Sequence, residues 1–284
     1  YEAHQDDEAL FRLLREKIEL VAQAHVQKKE FIGKLLSMGK HSPLALLTMD
    51  MDGEPYYRFN KASFLIGMVG LNEMVQYHTG QQMHESKEAT KFGLKIIATM
   101  KKDAEEIGEK YGVRMPLEQT PAESTAYRFA KLDKKYYPLQ TATVVRGNKS
   151  KGEVYYTNST YLNVGAPMSA IERVKAEGMF HPLIDAGSLT HVWLGEHKPP
   201  AESIAAFVKK TFENTQNAQI AFSPEFTSCL DCGKTTRGLK DNCPYCNSVN
   251  IEGITRVTGF FSKINSWNKG KIGELHERVK NNIN

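Results

Sequence analysis

Cys229-Leu230-Asp231-Cys232 and Cys243-Pro244-Tyr245-Cys246 are followed by Arg256-Val257-Thr258-Gly259-Phe260 and then by Trp267-Asn268-Lys269-Gly270-Lys271. The two C-x-x-C pairs are knuckles, each bringing two thiolates to one side of a tight turn. Two such knuckles complete a tetrahedron of soft sulfur ligands, the arrangement that Zn²⁺ prefers. Gly233 after the first pair and Pro244 inside the second suit that backbone. The alternative for four cysteines is two disulfides. Four thiolates close the coordination sphere, so Cys229, Cys232, Cys243 and Cys246 predict a structural metal with no position for substrate. In a segment with few apolar residues, binding it supplies roughly 10 kcal/mol or more of folding free energy. The metal then serves to hold the neighbouring loop. Taken alone, Arg256 to Phe260 is a glycine in an apolar stretch, read as a strand bulge or a close backbone approach.

Working outward, these are the only four cysteines in 284 residues. A secreted disulfide protein spreads its cysteines to staple distant segments; clustering points to a metal, a reducing compartment and a cytoplasmic location. The hydrophobic and charged fractions, 40% and 25%, are those of a globular protein. A net charge of +4 is too small for this length to imply a nucleic-acid or membrane partner. No apolar run approaches the ~18 residues of a transmembrane helix. The chain opens Tyr1-Glu2-Ala3-His4 without a methionine, as expected of a piece of a longer polypeptide.

Hydrophobic spacing predicts a helix over 6–36, with Leu10, Leu14, Ile18 and Val21 on one face, and a polar break at Gly39 to Pro43. Phe64 to Gly70 is a continuous apolar run expected to form a buried strand. A second long helix is expected over 83–111, with Phe92, Ile96, Met100 and Ile107 on a stripe and Gly112 as its stop. Strands are expected at 113–119, 153–157, 189–194 and 218–222, and helices at 123–134, 168–177, 202–213 and 272–280. This alternation suggests crossover units and a mainly parallel sheet. Thr120 as cap, Pro121 at the first helical position and Glu123 at the third predict a capping box. Such a helix start also presents free amides suited to phosphate. His191 is expected to be packed or hydrogen-bonded; His78, His84 and His181 show no site-like spacing.

Two knuckles, an R-V-x-G-[FY] segment, W-N-x-G-K and a closing helix together resemble the C-terminus of class III, anaerobic ribonucleoside-triphosphate reductases. Phe64 to Glu73, Thr120 to Thr125, Tyr156 to Leu162 and His191 to Glu196 are also similar to stretches of that family. Thr258 and Phe260 stand where members often carry Cys or Thr and Tyr. The resemblance implies an α/β fold, the second half of a ten-stranded glycyl-radical-enzyme barrel, over residues 1–222. A four-cysteine zinc module would follow over 223–253, then a radical loop and terminal helix over 254–284. It makes Gly259 the glycyl-radical residue, because an α-carbon radical between an amide nitrogen and a carbonyl is delocalised and meets no side chain. It places substrate phosphates at Thr120, Ala122, Ser124 and Thr125, with Glu123 either beside them or near the ribose in a catalytic role.

The implied reaction removes the ribose 2′-hydroxyl of ribonucleoside triphosphates, for DNA synthesis and repair. The implied partners are a radical-SAM activating enzyme, which brings S-adenosylmethionine and an iron–sulfur cluster, nucleotide effectors, and a second copy in a homodimer. The thiyl cysteine of that reaction would lie upstream of Tyr1. Two rivals stand against this reading. One is a zinc-ribbon module touching nucleic acid or protein through Lys234, Arg237, Lys240, Lys263 and Lys269. Asp231, Asp241 and Glu252 dilute that patch. The other is a formate-lyase type of glycyl-radical enzyme, which lacks the four cysteines.

Overall fold

The computed structural model describes residues 1–283; Asn284, the last residue of the expected 254–284 segment, lies outside them. The two long helices form as the spacing predicts. Helix α1 (Asp7–Ser37) is capped by Asp6, whose carboxylate accepts from the Ala9 amide. Helix α3 (Lys87–Tyr111) is capped by Ser86 and stopped by Gly112 at φ +63°. Leu10 and Ile18 of α1 meet Ile96, Met100 and Ile107 of α3 in the main core, with Leu14, Val21 and Phe92 at its edge. Each fully buried aliphatic side chain contributes about 1.5–3 kcal/mol.

Between them lie a short hairpin, β1 (Asp50–Met51) with β2 (Glu54–Pro55), then β3 (Ile66–Gly67) and α2 (Leu71–Thr79). The apolar run at Phe64 to Gly70 thus yields only a two-residue strand, and α2 follows unannounced. Its buried face mixes Leu71 and Val75 with Asn72 and Glu73, so apolar periodicity does not reveal it. Gly70 at φ +82° turns the chain from strand into helix.

β4 (Leu117–Glu118) pairs in parallel with β3, Ile66 opposite Leu117. Next come α4 (Glu123–Tyr136), α5 (Pro138–Thr141) and the antiparallel pair β5 (Arg146–Asn148) and β6 (Glu153–Tyr155). Helix α6 (Ala170–Gly178) carries a true capping box, Ser169 with Glu172. β7 (Thr190–Gly195), α7 (Ala201–Asn214) and β8 (Ile220–Cys229) form one crossover with parallel pairing, Val192 opposite Phe222.

Parallel pairing stops there. β8 runs on to Cys229, well past the expected end at Phe222, and its far half pairs antiparallel with β9 (Thr235–Arg237) and β10 (Ile251–Arg256). β10 turns into β11 (Phe261–Lys263), giving the order β11-β10-β8-β7. The expectation of a mainly parallel sheet is therefore corrected. The connections after Phe222 hold no helix: two are turns of four or five residues and the third carries the second cysteine pair, so the chain returns as antiparallel strands. Helix α8 (Lys269–Glu277) starts three residues before the expected Ile272, because the Asn268 side chain accepts from the Lys271 amide. No helix among the described residues is long and apolar enough to cross a membrane.

Candidate metal centre and the loop it carries

The two knuckles have the same backbone. The Cys229 amide donates to Lys234 O at 2.9 Å, and the Cys243 amide donates to Ser248 O at 2.8 Å. The Gly233 and Asn247 amides return to Cys229 O and Cys243 O at 3.1 and 2.9 Å. Both returning residues are left-handed, at φ +70° and +60°. Glycine and asparagine tolerate that region best. Asp231 ties the knuckles together, accepting from Ser248 and Asn250 of the second.

All four sulfurs lie within 4.8 Å of one another, and all four thiols are free. The closest pairs, Cys229 with Cys246 and Cys232 with Cys243, stand at 3.6 and 3.7 Å. A disulfide needs about 2.05 Å, so the pairing alternative is not realised. Burial opposes ionisation of Cys243, yet the Tyr245 and Cys246 amides and the neighbouring thiols draw it down to about 7. The Ser248 amide favours the Cys246 thiolate, but burial and the neighbouring thiols outweigh it and push Cys246 up to about 12. Four crowded sulfurs resist full ionisation unless a cation joins them. The donor set therefore fits a soft, tetrahedral metal ion.

β10 leaves this cluster with Ile251 opposite Cys229 and carries the chain back along β8 to Thr255, opposite Glu225. The hairpin turns at Thr258 and Gly259, closed by the Val257 amide on Phe260 O at 2.9 Å. Gly259 is exposed at the tip. Among the described residues nothing lies within 4 Å of where a Cβ would sit, and its φ is outside the left-handed region. The bulge or close-approach explanation for this glycine is thereby removed. Neither space nor backbone angle requires glycine here.

Helix α8 grips the hairpin from behind. Lys271, 1% exposed, donates to Thr258 Oγ1 at 3.1 Å and to Glu274 at 2.6 Å. Arg278 donates to Arg256 O at 3.1 Å, to Val257 O at 2.9 Å and to Glu274 at 2.8 Å. Burial and the Arg278 charge lower the Lys271 pKa although Glu274 opposes this. Burial alone would raise Glu274, but Lys271 and Arg278 hold its carboxyl below the usual range. The Arg278 guanidinium also lies 3.8 Å from the Trp193 ring centroid. Sequence reasoning stopped at W-N-x-G-K and missed Glu274 and Arg278; Glu274 lies three residues after Lys271 and Arg278, at the helix cap, four after Glu274, spacings that bring neighbouring side chains together.

The turn at Thr120 to Thr125 is not built as the capping box expected. Helix α4 begins at Glu123 with Ala122 as its cap, and no side chain caps it among the described residues. Thr120 Oγ1 instead donates to Glu118 at 3.0 Å, and the Ala122 amide donates to Asn158 Oδ1 at 3.2 Å. Thr120 packs against Gly67, where a Cβ would overlap it. Ser124 is exposed, while Glu123 and Thr125 are half-buried. Asn268 Nδ2 donates to Glu123 O at 3.2 Å, joining this turn to the start of α8.

Thr157 binds Glu73 through its amide at 3.1 Å and its hydroxyl at 2.6 Å, linking the stretches at Phe64 to Glu73 and Tyr156 to Leu162. Burial raises the Glu73 carboxyl pKa against the pull of Thr157 and Arg146. A cavity of about 20 Å³ lies behind the loop, lined by Thr157, Asn158, Tyr161, Arg173, His191 and Thr258. His191 stacks on Trp193 at 4.7 Å, as a packed histidine. His78 pairs with Asp7, and His181 accepts from the Ala218 amide.

Residues 1–281 match the family model described as anaerobic ribonucleoside-triphosphate reductase. The enzyme of that name from Salmonella typhimurium is 24% identical over 299 residues, covering 98% of this chain and 40% of that protein. A solved anaerobic ribonucleotide reductase superposes with a TM-score of 0.78 at 19% identity, over 99% of this chain and 43% of that one. The Thermotoga maritima structure in complex with dATP and CTP gives 0.75 at 20% identity, over 96% and 42%. The chain therefore spans about two fifths of these relatives' length. With the family model covering nearly every residue, the chain belongs to the anaerobic ribonucleoside-triphosphate reductase family.

Proposed function

We propose that this chain supplies the radical-bearing part of a reductase that converts ribonucleoside triphosphates to 2′-deoxyribonucleoside triphosphates without oxygen, for DNA synthesis and repair. The observation that carries this reading is the exposed Gly259 at the hairpin tip. The four-cysteine cluster lies at one end of its ladder, and α8 is buried behind it. A glycine that neither space nor φ demands is explained by α-carbon chemistry.

Cys229, Cys232, Cys243 and Cys246 would hold zinc, which supplies folding free energy and no open coordination position. A radical-SAM partner, bringing S-adenosylmethionine and an iron–sulfur cluster, would remove one hydrogen atom from the Gly259 α-carbon. The exposed tip gives such a partner access. The remaining radical would generate the thiyl radical that opens the reaction at the ribose. Ser124 and Thr125, at the amide-rich start of α4, would receive the substrate phosphates, with Thr120 and Ala122 shaping the turn and Glu123 facing either phosphate or ribose. The relative solved with dATP and CTP supports nucleotides as substrate and effector. In this reading residues 1–222 are half of a ten-stranded barrel, 223–253 the zinc module and 254–284 the radical loop. The assembled protein is a cytoplasmic homodimer.

Two substitutions test the assignment in the complete protein. Gly259→Ala fits the loop, so it should retain zinc and fold while losing all nucleotide reduction. After activation and exposure to air, mass spectrometry should find the parent chain cut at Gly259 and the variant intact. Normal turnover with alanine at 259 would defeat the proposal and leave the zinc-ribbon binding module in its place. Ser124→Ala with Thr125→Ala should weaken substrate binding at unchanged zinc content. Equal affinity would return that turn to a plain helix start.

A further inference from the structure

A charged side chain holds the carbonyl of Gly259, and two more anchor the two residues before it. On its carboxyl side, Arg256 Nη1 donates to the Gly259 carbonyl oxygen at 2.8 Å. The same guanidinium lies 4.9 Å from the Phe261 ring centroid, which restricts its swing. On the amino side, Lys271 Nζ holds Thr258 Oγ1 at 3.1 Å, one residue before the glycine. Arg278 holds the preceding carbonyl, Val257 O, at 2.9 Å. Lys271 and Arg278 are 1% and 5% exposed and share Glu274, so this side is rigidly backed.

The hairpin does not need these bonds to form. Its ladder pairs Ile254 with Lys263, Thr255 with Ser262 and Arg256 with Phe261 through the backbone. The Arg256 bond reaches the glycine itself, and the Lys271 and Arg278 bonds fix the two residues before it. An unpaired electron on a glycine α-carbon is delocalised when both flanking peptide planes lie coplanar with that carbon. The amide nitrogen then releases electron density and the carbonyl oxygen receives it. A cation bonded to that oxygen stabilises the density arriving there, and charge-assisted hydrogen bonds are roughly twice as strong as neutral ones.

We infer that Arg256 fixes the carboxyl-side peptide group of Gly259 and stabilises electron density on its carbonyl oxygen once the radical exists, while the Thr258–Lys271 pair anchors the residue on its amino side, so that together they clamp the glycine. Lys271 and Thr258 are positioning residues; Arg256 positions and stabilises. The inference rests on the radical reading above.

The test uses the complete protein, activated anaerobically by its partner, with the radical quantified per chain by electron paramagnetic resonance. Thr258→Val keeps the shape of a buried side chain and removes the oxygen that Lys271 holds; Thr258→Ser restores it. Arg256→Gln removes the cation; Arg256→Lys restores it. Thr258→Val and Arg256→Gln should each lower radical per chain roughly tenfold, the loss typical of one hydrogen bond to a charged group, and change the splitting of the doublet. Zinc content should stay at the parent value, and the Ser and Lys variants should recover most of the signal. Parent-like yield and splitting in both Thr258→Val and Arg256→Gln overturn the clamp while leaving Gly259 as the radical site. Absence of a doublet in the activated parent overturns the radical reading and this inference with it.

Discussion

Neither ring nitrogen of His191 finds a hydrogen-bond partner among the described residues, although the residue is only 3% exposed. Burial first, then the charges of Arg278 and Lys271, pushes its pKa from 6.5 to about 3. Below pH 6.5 the unfolded chain therefore takes up a proton that the folded chain refuses. Stability contributed by the neutral ring is full above 6.5 and is lost as pH falls toward 3. By pH 5 the loss from this residue is about 2 kcal/mol. His191→Phe should flatten the fall in unfolding free energy between pH 6.5 and 5 by that amount, measured by urea titration. A variant with the parent's pH dependence would mean that the ring is hydrated or paired in solution. His181, lowered to about 4 by burial, adds a second contribution of the same sign that the substitution leaves in place.

Helix α8 shows what pattern reading captures and what it misses. Its glycines do not mark flexibility: a Cβ at Gly270 would stand 2.7 Å from Val154 O and 2.8 Å from Tyr127 Cβ. They let the helix lie directly on β6 and α4. Gly270→Ala should therefore displace α8 and cost about 1–3 kcal/mol, even though alanine favours helices. A thermal midpoint equal to or above the parent's would contradict this close packing. The long helices α1 and α3 were legible because their buried faces, His25 and Asp103 apart, are apolar or glycine, with Ile96 and Ile107 at 0% and 1% exposure. Helix α2 was not, because Asn72 and Glu73 are buried there by hydrogen bonds to Gln82 and Thr157. Pattern reading assigns such residues to the surface. The same reason hid Glu274 and Arg278, whose charges are buried against each other and against the hairpin's carbonyls. The four cysteines were fully legible, since a knuckle is local in sequence. The capping box at Thr120 was misread because Asn158 and Glu118, distant and adjacent partners respectively, take the groups that a cap would have used.

At the scale of the molecule, β8 connects everything. Its first half pairs in parallel with β7, and its second half ends in Cys229 and aligns β10. The cluster thus adjoins the start of the strand that leads to Gly259, while α8 holds that strand's far end. Removing the metal with a chelator should abolish hydrogen-exchange protection from Cys229 to Asn250 and weaken it in β10 and β11. The α1–α3 core should keep its protection. Unchanged protection of β10 in metal-free protein would show that the cluster and the loop are independent. The central claim, that Gly259 carries the unpaired electron, is tested most directly by isotope. The complete protein, activated anaerobically, should give a resonance doublet from the single remaining α-hydrogen, and glycine deuterated at its α-carbon should collapse it to a near-singlet. A signal unchanged by deuterated glycine, or one that persists in Gly259→Ala, would contradict the assignment.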